Sequence, residues 1–205
     1  MVAVAESASP AVVTITTESA GQQGIGPFSV PSTGVGSGTN NHVIDGATTN
    51  DAITVAFQDG TELPARVITT DPTHDLAVIK VDTTGIATIQ IGDSAALQVS
   101  QLVVAIGSPL GTFTESVTSG ILSATGRTIQ VGSQTSRQAA TMTGLLQTDA
   151  AINEDNSGGP LLDASGRVIG VNVAVATSAQ GIGFAVPIDE AAAIMAEARA
   201  SSATT

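Results

Sequence analysis

Val, Ile and Thr gather in short runs along the chain, and Gly, Pro, Asn and Asp stand between the runs. This is the pattern of strands punctuated by turns. It predicts strands near Val12–Thr17, Ala52–Phe57, Leu63–Thr70, Leu76–Val81, Gln101–Gly107 and Val117–Thr125. Further strands are predicted near Leu145–Thr148, Leu161–Asp163, Val168–Val175 and Ile182–Pro187. Asp59-Gly60 sits between two alternating runs and predicts an antiparallel hairpin. One segment reads as a helix, Asp189–Ala200, with Pro187 upstream and two acidic residues at its positive end. Gly21–Gly38 and Arg127–Gly144 have loop composition, and Thr83–Ser100 reads as a connection between two halves. Many short strands with one helix point to an all-β sandwich or barrel rather than alternating β and α units.

Composition narrows the function classes. The 205 residues contain no Cys, which removes disulfides, zinc–thiolate sites and a thiol nucleophile. Six basic residues face 18 acidic ones, and the net charge is -12. Nucleic acid and anionic lipid are therefore not expected as partners. No apolar run reaches the ~18 residues of a membrane span, so no integral membrane segment is expected. The opening MVAVAESASP lacks a basic n-region and a long apolar run, and reads as the start of a mature or trimmed chain. Hydrophobic residues make up 42%, enough for a core, while aromatics are 2%, so aliphatic side chains must fill it.

The candidate chemistry lies at Asp155-Asn156-Ser157-Gly158-Gly159-Pro160. A Ser followed by two glycines suits a sharp turn that presents a hydroxyl beside backbone N–H donors, as acyl transfer requires. The candidate bases are His42, His74 and Lys80. Neighbours on a strand face opposite sides, so His74 and Asp75 are not expected to share one site. Asp75 precedes the apolar run Leu76–Ile79, where a carboxylate needs a partner, and a His is a suitable one. This favours His42, Asp75 and Ser157 as the catalytic set. Lys80 reads as an outward residue at a strand end. Asn153, Asp155 and Ser157 imitate the opening of a calcium loop, but Ala164 stands where its bidentate Glu belongs. No metal or cofactor is expected.

Six segments, in order, resemble the trypsin-like protease domain of the bacterial HtrA/Deg family of serine proteases. They are TNNHVIDGA from Thr39, DPTHDLAVIK from Asp71, VVAIGSP from Val103, SVTSGILSATG from Ser116, QTDAAINEDNSGGP from Gln147 and GIGFAVP from Gly181. The order His, Asp, Ser is that of chymotrypsin-like proteases. The resemblance implies an all-β chymotrypsin/trypsin-like double β-barrel with a C-terminal helix. Residues 1–98 would form the first barrel with His42 and Asp75, 99–188 the second with Ser157, and 189–205 the helix and tail. It implies an oxyanion hole from the backbone N–H groups of Asp155, Asn156 and Ser157. Asn172, Val173 and Ala174 would pair with the substrate backbone. Ala151, Ile152, Ile182 and Gly183 would shape a small apolar P1 pocket. The Arg127–Gly144 loop would match the regulatory loop. Polypeptide substrates, a homotrimer and a place outside the cytoplasm (periplasmic, secreted or membrane-anchored) follow from the same resemblance.

The chain departs from that family in three places. The family's hairpin before the catalytic His is either lost or omitted from this sequence, because Gly36-Ser37-Gly38 runs straight into Thr39. Asp155 stands where the family has Gly, beside the place where substrate oxygen becomes negative. The family commonly continues into PDZ domains, whereas this sequence ends after the final helix and the tail Ser201–Thr205 and is expected to be either a protease domain alone or a member without PDZ. The expected function is a serine endopeptidase of protein quality control type, acting on unfolded or misfolded proteins. Asp155 and the missing hairpin would weaken its activity. The alternative is a catalytically silent peptide-binding protein of the same fold.

Overall fold

The computed structural model describes residues 1–17, 29–33, 36–44, 53–107, 116–131, 140–153, 156–173 and 181–202. The first six strands are β1 (Val12–Thr17), β2 (Ser29–Thr33), β3 (Gly36–Thr39), β4 (Ile53–Ala56), β5 (Glu62–Asp71) and β6 (Leu76–Val81). They close into one barrel in the order β1-β2-β3-β6-β5-β4. A second barrel closes from β7 (Leu102–Gly107), β8 (Ser116–Val131), β9 (Ala140–Thr148), β10 (Pro160–Asp163), β11 (Val168–Val173) and β12 (Gly183–Pro187). Its order is β10-β11-β12-β9-β8-β7. The predicted hairpin across Asp59-Gly60 pairs Val55 with Leu63.

Strand alternation distributes side chains between three cores. On β6, Ala77 and Ile79 enter the first barrel, while Leu76 and Val78 enter a seam between the barrels. On β7, Val103 and Ala105 fill the second barrel, while Val104 and Ile106 join the seam. On β10, Leu161 lies inside and Leu162 in the seam. These strands are covered on both faces, which is why they read as nearly continuous apolar runs rather than as alternating ones. Truncating a seam residue such as Leu162 to Ala costs about 2–5 kcal/mol.

Helix α3 (Ile188–Ser202) follows β12 and places Ile188, Ala191, Ile194 and Ala198 in the seam, at helical spacing. Two helices escape the strand-and-turn reading. Helix α1 (Val2–Ala8) buries Val4 and Ala8 in the same seam. Helix α2 (Asn41–Ile44) is a single turn, too short for any periodic signal. The connection before β7 lies along β11, where Gly92 N–H donates to the Val168 carbonyl at 2.7 Å.

Three expectations are corrected. Gly21–Gly38 is not all loop, because it supplies β2 and β3. These two strands pair as a hairpin (Ser32 with Ser37, Thr33 with Gly36) upstream of the Gly38–Thr39 junction, which β3 crosses unbroken, so the first barrel closes with six strands and lacks no strand pair. Their Gly, Ser and Pro content hides them from propensity, and pairing with β1 and β6 makes them strands. Arg127–Gly144 is likewise not all loop: β8 runs to Val131 and β9 starts at Ala140. Residues 132–139 lie outside the described residues.

Candidate active site

His42 stands on α2, immediately after β3 has crossed the first barrel. Val43 and Ile44 are buried in that barrel's core, which leaves His42 facing solvent. Asp75 ends the turn before β6, with φ at 56°. That is the left-handed region, which Asp tolerates better than most residues. The turn brings all of Asp75's acceptors to α2. Its Oδ2 lies 2.6 Å from His42 Nδ1, and its Oδ1 accepts the His42 backbone N–H at 2.9 Å. Its carbonyl accepts the Asn41 N–H at 3.0 Å. Asp75 therefore fixes both the ring and the backbone of His42. With Nδ1–H donating to the carboxylate, the lone pair of the neutral imidazole is on Nε2.

Ser157 sits in the turn before β10 and is 1% exposed. Gly158 has φ at 80°, and a Cβ there would lie 2.8 Å from Thr39 Oγ1. Glycine is thus required twice over, by conformation and by space. A Cβ on Gly159 would run into the Ile106 carbonyl. Asn172 on β11 cradles this turn. Its N–H donates to the Gly159 carbonyl and its carbonyl accepts the Gly158 N–H, both at 2.8 Å. Its Nδ2 reaches the carbonyls of Asn156 and Pro160, each at 3.2 Å. Two buried polar atoms beside the turn, Thr39 Oγ1 and Asn172 Oδ1, have no hydrogen-bond partner among the described residues.

Asn40 spans the barrels. It is fully buried, its Nδ2 donates to the Asp75 carbonyl at 3.1 Å, and its Oδ1 accepts the Ser157 hydroxyl at 2.9 Å. The nucleophile candidate from one barrel and the His–Asp pair from the other meet through this amide.

The remaining candidates divide. Asn156 and Ser157 both donate their backbone N–H to the Asn153 carbonyl at 3.2 Å, inside their own turn. Asp155 and Ala174 lie outside the described residues. Asn172's backbone groups are engaged by Gly158 and Gly159, so its place here is beneath the nucleophile turn. Of the P1-pocket candidates, Ile152 and Gly183 come into contact. The Ile152 side chain packs where Gly183 has no Cβ, and Ile182 stays exposed. Asn156 braces this wall, with Nδ2 on the Ala151 carbonyl at 2.9 Å and Oδ1 on the Asn153 N–H at 3.0 Å.

The second histidine, His74, contacts Asp71 at 2.6 Å and lies 4.0 Å from Glu190 on α3. The Asp71 hydrogen bond raises its pKa above 6.5 against burial, and the Asp71 and Glu190 charges add to the rise. Burial pushes the Asp71 carboxyl up, but His74 and the Thr73 N–H outweigh it, and the net shift is downward. Lys80 lies 3.8 Å from Asp82. Among the described residues, no group of three His, Asp or Glu is placed to hold a metal ion.

Sequence reasoning missed three amides: Asn40, and the side chains of Asn156 and Asn172. A signal existed. Asn172 interrupts an otherwise apolar run, and a buried amide must find hydrogen bonds.

Comparison with known proteins bears on the family and the fold. Residues 35–171 match the family model for the trypsin-like peptidase domain. The Lactobacillus helveticus serine protease Do-like HtrA is 42% identical over 167 residues, 78% of this chain and 38% of that protein. A Pseudomonas putida relative, "Probable periplasmic serine endoprotease DegP-like", is 45% identical over 156 residues, 75% of this chain and 30% of that protein. The chain thus spans about a third of the length of these curated relatives. Among solved structures, the HtrA-type protease AlgW with tripeptide superposes with a TM-score of 0.78 at 39% identity, over 94% of this chain and 61% of that one. The chain belongs to the trypsin-like peptidase family, and its relatives there are HtrA/Deg-type serine proteases.

Proposed function

We propose that this chain is a serine endopeptidase that cuts unfolded or misfolded polypeptides, as in protein quality control. The observation that carries the reading is the His42–Asp75 pair, joined through buried Asn40 to the hydroxyl of Ser157.

In this mechanism Ser157 Oγ attacks the scissile carbonyl carbon. His42 Nε2 takes the hydroxyl proton and returns it to the leaving amine. Asp75 holds the tautomer and stabilises the imidazolium. The N–H groups of residues 155–157 receive the oxyanion, and those of Asn156 and Ser157 must first leave the Asn153 carbonyl. A peptide lies as an added strand along Val173 and Ala174, with Asn172 supporting the catalytic turn below. The apolar wall of Ala151, Ile152, Ile182 and Gly183 selects Val, Ala, Ile or Leu at P1.

We also assign action outside the cytoplasm, supported by the periplasmic naming of a relative, and, from the family resemblance alone, assembly as a homotrimer. No helix among the described residues is long and apolar enough to cross a membrane. One observation favours a second reading, a silent peptide binder: the Ser157 N–H is engaged inside its own turn. An active-site-directed fluorophosphonate separates the two. A protease is labelled at Ser157 and loses labelling in Ser157→Ala. A protein left unlabelled at neutral pH is not a serine protease.

A further inference from the structure

We propose that Asn40 sets the resting position of the Ser157 proton, as a positioning residue that holds the nucleophile's hydroxyl away from the base until acylation begins. The inference rests on the protease reading above and assigns a role to a residue outside the triad.

The amide orientation follows from its partners. Asn40 Nδ2 has the Asp75 carbonyl at 3.1 Å, an acceptor that only the NH2 end can serve. The Oδ1 end then faces Ser157 Oγ at 2.9 Å. A carbonyl oxygen cannot donate, so the serine hydroxyl must. Serine has one hydroxyl proton. While that proton points at Asn40, it does not point along the path to an imidazole nitrogen.

The contact belongs to the ground state alone. During acylation the Ser157 Oγ–carbon bond forms and the proton moves to His42 Nε2. Asn40 Oδ1 then faces an oxygen with no proton to offer. An interaction present before the transition state and lost within it lowers kcat and leaves KM unchanged. Its burial gives it weight, since both atoms lie in residues no more than 1% exposed. Removing the amide spares the Asp75 turn, because the Asp75 carbonyl keeps the Asn41 N–H at 3.0 Å.

The test compares the parent chain with Asn40→Ala, Asn40→Asp and Ser157→Ala. The readouts are the fluorophosphonate labelling rate, steady-state cleavage of an aliphatic-P1 peptide, and thermal unfolding. Asn40→Ala should label about threefold to tenfold faster, the rate equivalent of one neutral hydrogen bond, with kcat raised and KM unchanged. Asn40→Asp should label at least about tenfold slower, because a carboxylate is the stronger acceptor and faces the Asp75 carbonyl with no donor. A purely structural role would slow both variants. A folded Asn40→Ala that labels no faster than the parent overturns the proposal. If Asn40→Ala fails to fold, Asn40→Asp decides alone through its equal shape: slower labelling of the folded protein supports the proposal, and labelling at or above the parent rate overturns it. A parent that is not labelled overturns the protease reading and this proposal together, whereas a labelled parent with an unaccelerated Asn40→Ala overturns only this one.

Discussion

Two His–Asp pairs lie close together in the chain, each with Nδ1 2.6 Å from a carboxylate oxygen. His42 and Asp75 are 33 residues apart in sequence, and His74 and Asp71 only three. The local pair is a turn: Asp71 also accepts the N–H groups of Thr73 and His74, and both its members are about one-third exposed. The distant pair is a joint between segments. Asp75 is 16% exposed and holds His42 by ring and backbone, while Asn40 runs from the same residue to Ser157. A short His–Asp contact therefore does not mark a catalytic site. What matters is whether it is made between elements that converge on a nucleophile.

The largest effects should fall on the distant pair. His42→Ala or Ser157→Ala should lower kcat by about 10⁴-fold or more, and Asp75→Asn by nearly as much. His74→Ala should change it by less than about threefold. Peptide cleavage with titrated active sites measures this, and equal losses at the two histidines would erase the contrast.

Next comes the cradle under the nucleophile. Asn172→Ala leaves the Asn156 and Pro160 carbonyls short of a donor. It should reduce unfolding free energy by about 2–4 kcal/mol in urea titrations. Loss of the serine's alignment should lower kcat by about 10–100-fold. Unchanged kinetics would show that the turn holds its shape without the amide.

The specificity wall is a smaller effect. Gly183→Val puts a side chain against Ile152 and should lower kcat/KM for a P1 Leu peptide by about tenfold or more, with Ala less affected. Cleavage-site mapping on denatured casein should give aliphatic P1 residues. A preference for Lys or Arg would mean that another surface forms the pocket.

The smallest effect belongs to the local pair and depends on pH. The raised His74 value means that its contribution is complete below 6.5 and fades as pH rises through the folded-state value. The lowered Asp71 value means that its contribution holds above 3.8 and fades as pH falls. The pair should therefore stabilise most between those limits. Parent and His74→Ala should differ in Tm by up to about 3 °C near pH 5 and converge near pH 9. A difference that grows toward pH 9 would contradict the assignment.

Much of this was legible beforehand, for reasons that particular residues make plain. Val12–Thr17 and Leu76–Val81 fold with the boundaries read from the chain, because β-branched runs between turn residues have few other solutions. The triad candidates were legible because acyl transfer restricts residue types severely. β2 and β3 were not legible, since SVPST and GSGT carry little intrinsic preference and become strands by closing a barrel. Asn40 was hidden for a related reason, because its partner Ser157 is 117 residues away.

The sequence by itself determined the strands other than β2 and β3, the two-sided apolar runs that force a seam, and the ordered motifs that nominate His42, Asp75 and Ser157. Those properties are local, written in side-chain period and residue type. The tertiary structure alone decided which histidine meets which aspartate, that Asn172 underpins the Ser157 turn, and that Asn40 accepts the serine's hydrogen bond. Each of those is a hydrogen bond between distant segments, and its geometry exists only once both barrels have closed and packed against each other.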